Sequence, residues 1–164
     1  MRLTPKAEQL RSLIEPAVEA CGMVLWGIEF SPQGKRSLLR VYIESPKAPP
    51  VTDGPSEFQV GVADCMKVSH QISGVLELHD PINGEYVLEV SSPGWDRRFF
   101  KPEQLFAYVG QTLDIRLIKP VNQQRKLNAK LLSATESQIS VQDTDDKIHE
   151  LEVSNLDKIT LVII

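Results

Sequence analysis

The 164-residue sequence contains the side-chain types of a nucleophile triad: Ser91, Ser92, His70, His79, Asp80 and Asp96. A serine attacks only when a base takes its proton and an acid orients that base. No Gly-x-Ser-x-Gly elbow surrounds either serine, and that turn exposes the nucleophile in a large class of hydrolases. In the plainer reading Ser91 and Ser92 hydrogen-bond a tight turn, and His79-Asp80 marks a helix end. Scattered histidines do not make a metal site, and Cys21 and Cys65 have no CxxC or Cys/His ligand spacing. A structural zinc is therefore not expected, nor a disulfide framework, and the thiols read as free groups in a reducing compartment. Neither GxxxxGK[ST] nor GxGxxG occurs, so no nucleotide cofactor is expected.

Binding chemistry is better represented. Arg97, Arg98 and Lys101 gather positive charge within five residues, directly after Ser91-Ser92-Pro93-Gly94. A guanidinium donates two parallel hydrogen bonds to phosphate, and Trp95, Phe99 and Phe100 interleave aromatics with the charge, as nucleic-acid surfaces do. Equally, the aromatics can plug a core while the arginines pair with Asp96 or Glu103. Lys35-Arg36 at a hairpin tip, with Arg40, forms a second candidate phosphate contact or a solubilising tip. Asp143, Asp145 and Asp146 form the densest acidic turn, a candidate attraction for a basic protein or a solvated hairpin. His149 stands alone in a strand and reads as a rim residue. No Phe, Trp or Tyr follows Tyr108, so the C-terminal part has no platform for stacking bases. An edge strand there can instead take a partner segment by main-chain hydrogen bonds.

These groups need elements to hold them. Thr4-Pro5 reads as a helix start, and Leu10, Leu13, Ile14, Ala17, Val18 and Cys21 follow at helical spacing until Gly22. Residues 23–30 and 38–44 read as strands joined by a 31–36 hairpin loop, with Leu39, Val41 and Ile43 on one face. Residues 45–57 carry Pro46, Pro49, Pro50, Pro55 and Asp53-Gly54 and read as a connector. A helix follows at 63–78, with Cys65, Val68, Ser69, Ile72, Val75 and Leu76 inward, and Asp80-Pro81-Ile82-Asn83-Gly84 stops it. Tyr86, Leu88 and Val90 alternate as a third strand. Pro102 opens a short helix through Tyr108. From Gly110 the pattern is strands only: 111–119, 126–134, 138–143, 147–153 and 158–164. Five short strands at this spacing predict a small barrel. The apolar ending, Ile159 to Ile164, reads as a buried strand. The expected class is α+β: an N-terminal α/β domain over 1–109, a three-stranded sheet with helices, then a small β-barrel over 110–164.

Charge narrows the partners. Lys and Arg number 18 against 22 Asp and Glu, a net charge of -4. Residues 1–109 carry 11 basic and 14 acidic groups, and residues 110–164 carry 7 and 8. Any hold on nucleic acid must therefore come from a local patch. The opening Met1-Arg2-Leu3-Thr4-Pro5 lacks the apolar core of a signal peptide, and no run approaches the ~18 apolar residues of a membrane helix. A cytoplasmic monomer without a membrane partner is expected.

One segment is distinctive. Val87-Leu88-Glu89-Val90-Ser91-Ser92-Pro93-Gly94-Trp95-Asp96-Arg97 resembles the signature of the bacterial ribosome maturation factor RimP family, which typically reads V-S-S-P-G-L-D-R-P-L. Val18 to Gly22 through Gly27-Ile28-Glu29-Phe30 is similar to that family's first helix and strand. Asp64-Cys65 with Val68-Ser69-His70-Gln71-Ile72-Ser73 is similar to its second helix, and Asp80-Pro81-Ile82 to the turn that follows. Trp95 departs from the usual leucine, Arg98-Phe99 from proline-leucine, and Ala63 from a common acidic residue. The resemblance implies an N-terminal α/β domain joined to an Sm-like (SH3-type) barrel. It further implies a non-enzymatic role in assembly of the small (30S) ribosomal subunit. The implied partners are the immature subunit, its ribosomal RNA, and the small-subunit ribosomal protein numbered twelve. A general RNA-binding module, or a hydrolase built on Ser91 or His79, are the other readings the residues allow.

Overall fold

The computed structural model describes residues 1, 3–33, 35–47, 60–94 and 96–162. Gly34, Trp95, the 48–57 part of the proline-rich connector, and Ile163-Ile164 lie outside the described residues. Among the described residues the chain divides into two compact units, one covering residues 3–47 and 60–93, the other residue 1 and residues 94–162.

In the first unit, α1 (Pro5–Ala20) begins as the sequence predicts: the Thr4 side chain accepts the Ala7 N–H at 3.1 Å. Such a cap stabilises a helix by about 1 kcal/mol. Its far end closes on Gly22, at φ +78, where the Gly22 and Met23 N–H groups donate to Glu19 and Val18 carbonyls. That left-handed position suits glycine, which has no Cβ to clash. The strands β1 (Val24–Gln33) and β2 (Arg36–Glu44) pair antiparallel, and β3 (Glu85–Ser91) lies parallel to β2. The two strands of the hairpin extend into the expected 31–36 loop, which is correspondingly short. The helix α2 (Val62–His79) provides the crossover that a parallel pair requires. Asp64 accepts the Gly61 N–H at 3.0 Å at its start. Leu39, Val41 and Ile43 are fully buried against Leu10, Ile14 and Val18 of α1 and Val68 and Ile72 of α2. Both helices thus cover one face of the sheet, and the other carries the polar alternate residues.

The second unit is a six-stranded sheet in the order β4-β9-β5-β6-β7-β8. Its strands are β4 (Arg98–Phe99), β5 (Thr112–Val121), β6 (Gln124–Ala134), β7 (Gln138–Asp143), β8 (Ile148–Glu152) and β9 (Leu156–Leu161). Every neighbouring pair is antiparallel. Leu113, Ile115, Leu127, Leu131, Ile139, Val141, Leu151, Ile159 and Leu161 make its core. The unit begins at Gly94, not at residue 110 as the strand pattern alone placed it. The reason is local: β4 pairs with β9, and Phe99, 2% exposed, meets the Tyr108 ring edge-on at 5.0 Å. The 3₁₀ helix Pro102–Tyr108 also buries Leu105, and the Gly110 N–H donates to Leu131 at 2.8 Å. These apolar side chains find their partners on the C-terminal sheet. The two-residue β4 also makes six strands where five were expected.

Candidate functional site

The basic corner was the leading candidate, and its backbone is built around one glycine. Gly94 sits at φ +81, where a Cβ would lie 3.4 Å from an Asp96 carboxylate oxygen. The chain passes from one unit to the other between Pro93 and Gly94, so the Ser91-Ser92-Pro93-Gly94 motif is a covalent link between them. Three residues past that motif Arg97 turns inward. It is 5% exposed, its Nε donates to the Gly94 carbonyl at 3.1 Å, and its own carbonyl accepts the Leu161 N–H at 2.8 Å. Arg97 is therefore a pin between the turn and β9, not the phosphate contact that its position in a basic run implied. A charged donor inside a turn is worth about 1.5–3 kcal/mol per bond. Arg98 is half-buried in β4, with its guanidinium 5.0 Å from the centre of the Phe100 ring. Phe100 donates its N–H to the Gln104 side chain at 2.8 Å. Of the three cations only Lys101 is exposed, and the cluster belongs to the second unit, not the N-terminal one.

The serines have no catalytic surroundings among the described residues. Ser91 is exposed and Ser92 half-buried; neither hydroxyl hydrogen-bonds a histidine, a carboxylate or the turn itself. The bond that closes the turn comes from Arg97 instead. His79 and Asp80 are both exposed and share no hydrogen bond; Asp80, at φ 46, ends α2 by donating its N–H to Leu76. The Cys65 thiol is half-buried, and burial, with Asp64 beside it, raises its pKa away from a reactive thiolate. No three His, Cys, Asp or Glu side chains gather as a metal site among the described residues. There too, no helix is long and apolar enough to cross a membrane.

At the hairpin tip Lys35 and Arg36 are exposed. Arg36 stands opposite Glu85 across β2 and β3, at 3.6 Å, and Arg40 donates from Nε to Glu89 at 2.9 Å. Glu29 of β1 occupies the other side of Arg40. Carboxylates therefore answer the arginines on this face; among the described residues Lys35 makes no such pair.

The acidic turn is similarly divided. One Asp143 oxygen accepts the N–H groups of Asp145 and Lys147, at 2.8 and 3.0 Å, and the other meets His149 Nε2 at 2.7 Å. The hydrogen bond with His149 is the main cause that lowers the Asp143 pKa. His149 is 8% exposed, so it is an interior partner of the turn and not the rim residue that its isolation implied. Asp145 and Asp146 remain exposed to solvent, and Asp146 takes the left-handed conformation at φ 61.

A further set escaped the sequence reading: Arg116, Lys126 and Lys158. They are far apart along the chain, and only the register of β9, β5 and β6 brings them side by side. The predicted 111–119 and 126–134 hairpin was the one available signal, and it was incomplete: continuing the register from Val121 and Gln124 at the turn would set Arg116 opposite Ala129, and a shift between Arg116 and Val121 brings it opposite Lys126 instead. Compared with known protein families, residues 13–96 match the RimP N-terminal domain. The matched segment runs from α1 to Asp96 and includes the Ser-Ser-Pro-Gly link.

Proposed function

The chain belongs to the RimP family, and from that premise we propose that it is a non-enzymatic maturation factor of the small (30S) ribosomal subunit. The observation that carries this reading is the family match over residues 13–96, which spans most of the α/β unit and its Ser91–Gly94 link. In this reading the six-stranded sheet is the family's Sm-like barrel, and the protein works in the cytoplasm on the immature subunit. It assists incorporation of the small-subunit ribosomal protein numbered twelve.

The mechanism is adhesion. Lys35 and Lys101 are exposed cations without a carboxylate partner among the described residues, and they touch ribosomal RNA phosphates. Arg36 contributes once the weak Glu85 pair yields, since an ion pair so exposed is worth about 0–1 kcal/mol. Asp145 and Asp146 draw in a basic ribosomal protein, while Asp143 holds the turn that presents them. The factor leaves when mature contacts form, because its affinity for the finished particle is lower. Sedimentation of an extract tests this reading. The tagged chain should travel with free small subunits; recovery with polysomes, or with bulk RNA alone, would contradict it. A Ser91-dependent ester hydrolysis, abolished in Ser91→Ala, would replace it with an enzyme.

A further inference from the structure

The outward side chains of β9, β5 and β6 carry an unusual row. Arg116 of β5 is directly opposite Lys158 of β9 on one side and Lys126 of β6 on the other. Residues directly opposite on neighbouring strands point to the same face, and burial agrees: Leu113, Ile115 and Leu117 point inward while Arg116 is exposed, as are Lys126 and Lys158. Neighbouring strands lie ~4.8 Å apart, so the row spans roughly 10 Å. Like charges directly opposite one another destabilise a sheet. None of these cations has an ion pair among the described residues. The next row is Thr160, Asp114 and Asn128, and Lys130 stands opposite Thr112 one step further on. Asp114, Arg116, Lys126, Lys158 and Thr160 line a shallow concavity of about 110 Å³. Asp157 is the extra residue at the register shift in β9, next to Lys158.

We propose that this face is a docking surface for the phosphate backbone of RNA. Three unanswered cations across three strands neutralise successive phosphates, and the Arg116 fork can hold one of them bidentately. Thr160 and Asn128 are neutral donors of the kind that position a backbone without reading sequence. The face has no aromatic residue, so it grips backbone and not stacked bases. Asp114 would repel a phosphate but accepts a hydrogen bond from a ribose 2′-hydroxyl, the group that distinguishes RNA from DNA. An acidic protein would find Asp114 in the middle of its contact with no group to offer it. The choice of RNA rests on the maturation function proposed above, whereas the cationic row stands on register alone.

The test uses the purified full-length chain and a fluorescein-labelled RNA duplex of arbitrary sequence, read by anisotropy over a salt series. The triple variant Arg116→Gln, Lys126→Gln, Lys158→Gln should bind at least tenfold more weakly at low salt. Its plot of log affinity against log salt should flatten by about three, near one for each phosphate no longer neutralised. Its melting temperature should equal or exceed that of the parent chain, which separates weakened binding from failed folding. A DNA duplex of the same sequence should bind more weakly than the RNA, and polyglutamate of equal charge should compete poorly. An unchanged affinity and slope in the triple variant would overturn the proposal. Equal binding of DNA, or strong competition by polyglutamate, would overturn its assignment to RNA. Naked RNA is the probe, so a negative result here is separable from a failure to co-sediment with small subunits.

Discussion

Across β2 and β3 of the first unit the exposed arginines stand opposite glutamates, Arg36 to Glu85 and Arg40 to Glu89. Across β9, β5 and β6 of the second unit Lys158, Arg116 and Lys126 stand opposite one another. The same device, register, produces a self-satisfied surface in one sheet and an unsatisfied one in the other. Cross-strand pairs of opposite charge contribute about 0.2–1 kcal/mol each, and like pairs cost a similar amount. The first face therefore gives up little by staying in water. The second holds a small repulsion that an anionic partner relieves, so charge unanswered within the fold is the better guide to binding than charge density along the chain. Arg97 and Arg98 make the same point from the other side, being dense in sequence yet buried or half-buried in the structure.

The largest expected effect falls on the cation that sequence density would have assigned to phosphate. Arg97→Ala should destabilise the protein by about 2 kcal/mol in urea unfolding, through loss of a charge-assisted bond. In the RNA assay at temperatures where it remains folded, it should bind like the parent chain. Gly94→Ala should cost about 1–2 kcal/mol, because its φ of +81 is left-handed. The pairing rule itself can be inverted. Arg116→Glu would create a Lys158–Glu–Lys126 row like the Glu29–Arg40–Glu89 row of the first sheet. It should raise stability by about 1 kcal/mol over its two cross-strand pairs while weakening RNA binding. Conversely, Glu89→Lys should lower stability by up to about 1 kcal/mol. If Arg116→Glu destabilised the fold, the row would be structural and the contrast between the sheets would vanish.

The smallest effect is a pH dependence. The Asp143 pKa lies below its ordinary value in the fold, chiefly because of His149. A lowered carboxylate pKa means the unfolded chain binds that proton more readily. The contribution is thus complete above the ordinary carboxylate range, near pH 4. It fades as pH falls through the lower folded value. Thermal melts of Asp143→Asn and the parent chain should therefore differ most above pH 5 and converge in acid.

Much of the first unit was legible because its signals are local. The Thr4 cap, the α1 stripe, Gly22 and the inward Leu39, Val41 and Ile43 all follow from periodicity and turn chemistry. What was hidden is what distance along the chain conceals. A basic run reads the same whether its first arginine points to water or, like Arg97, to a carbonyl behind it. β4 is too short to show alternation, so the boundary slipped to Gly110 although Phe99 and Leu105 pack in the second unit. His149 looked solitary because its partner Asp143 lies across a hairpin. The Lys158–Arg116–Lys126 row needs strands that are not adjacent in sequence to be placed in register.

The contrast between the two sheets can be read in one titration. The isotope-labelled chain is followed by NMR as unlabelled RNA duplex is added. The amides of Arg116, Lys126, Asn128, Lys158 and Thr160 should shift progressively while those of Glu29, Arg40 and Glu89 stay in place. Shifts confined to the β2–β3 face, with the β9–β5–β6 row unmoved, would contradict the account.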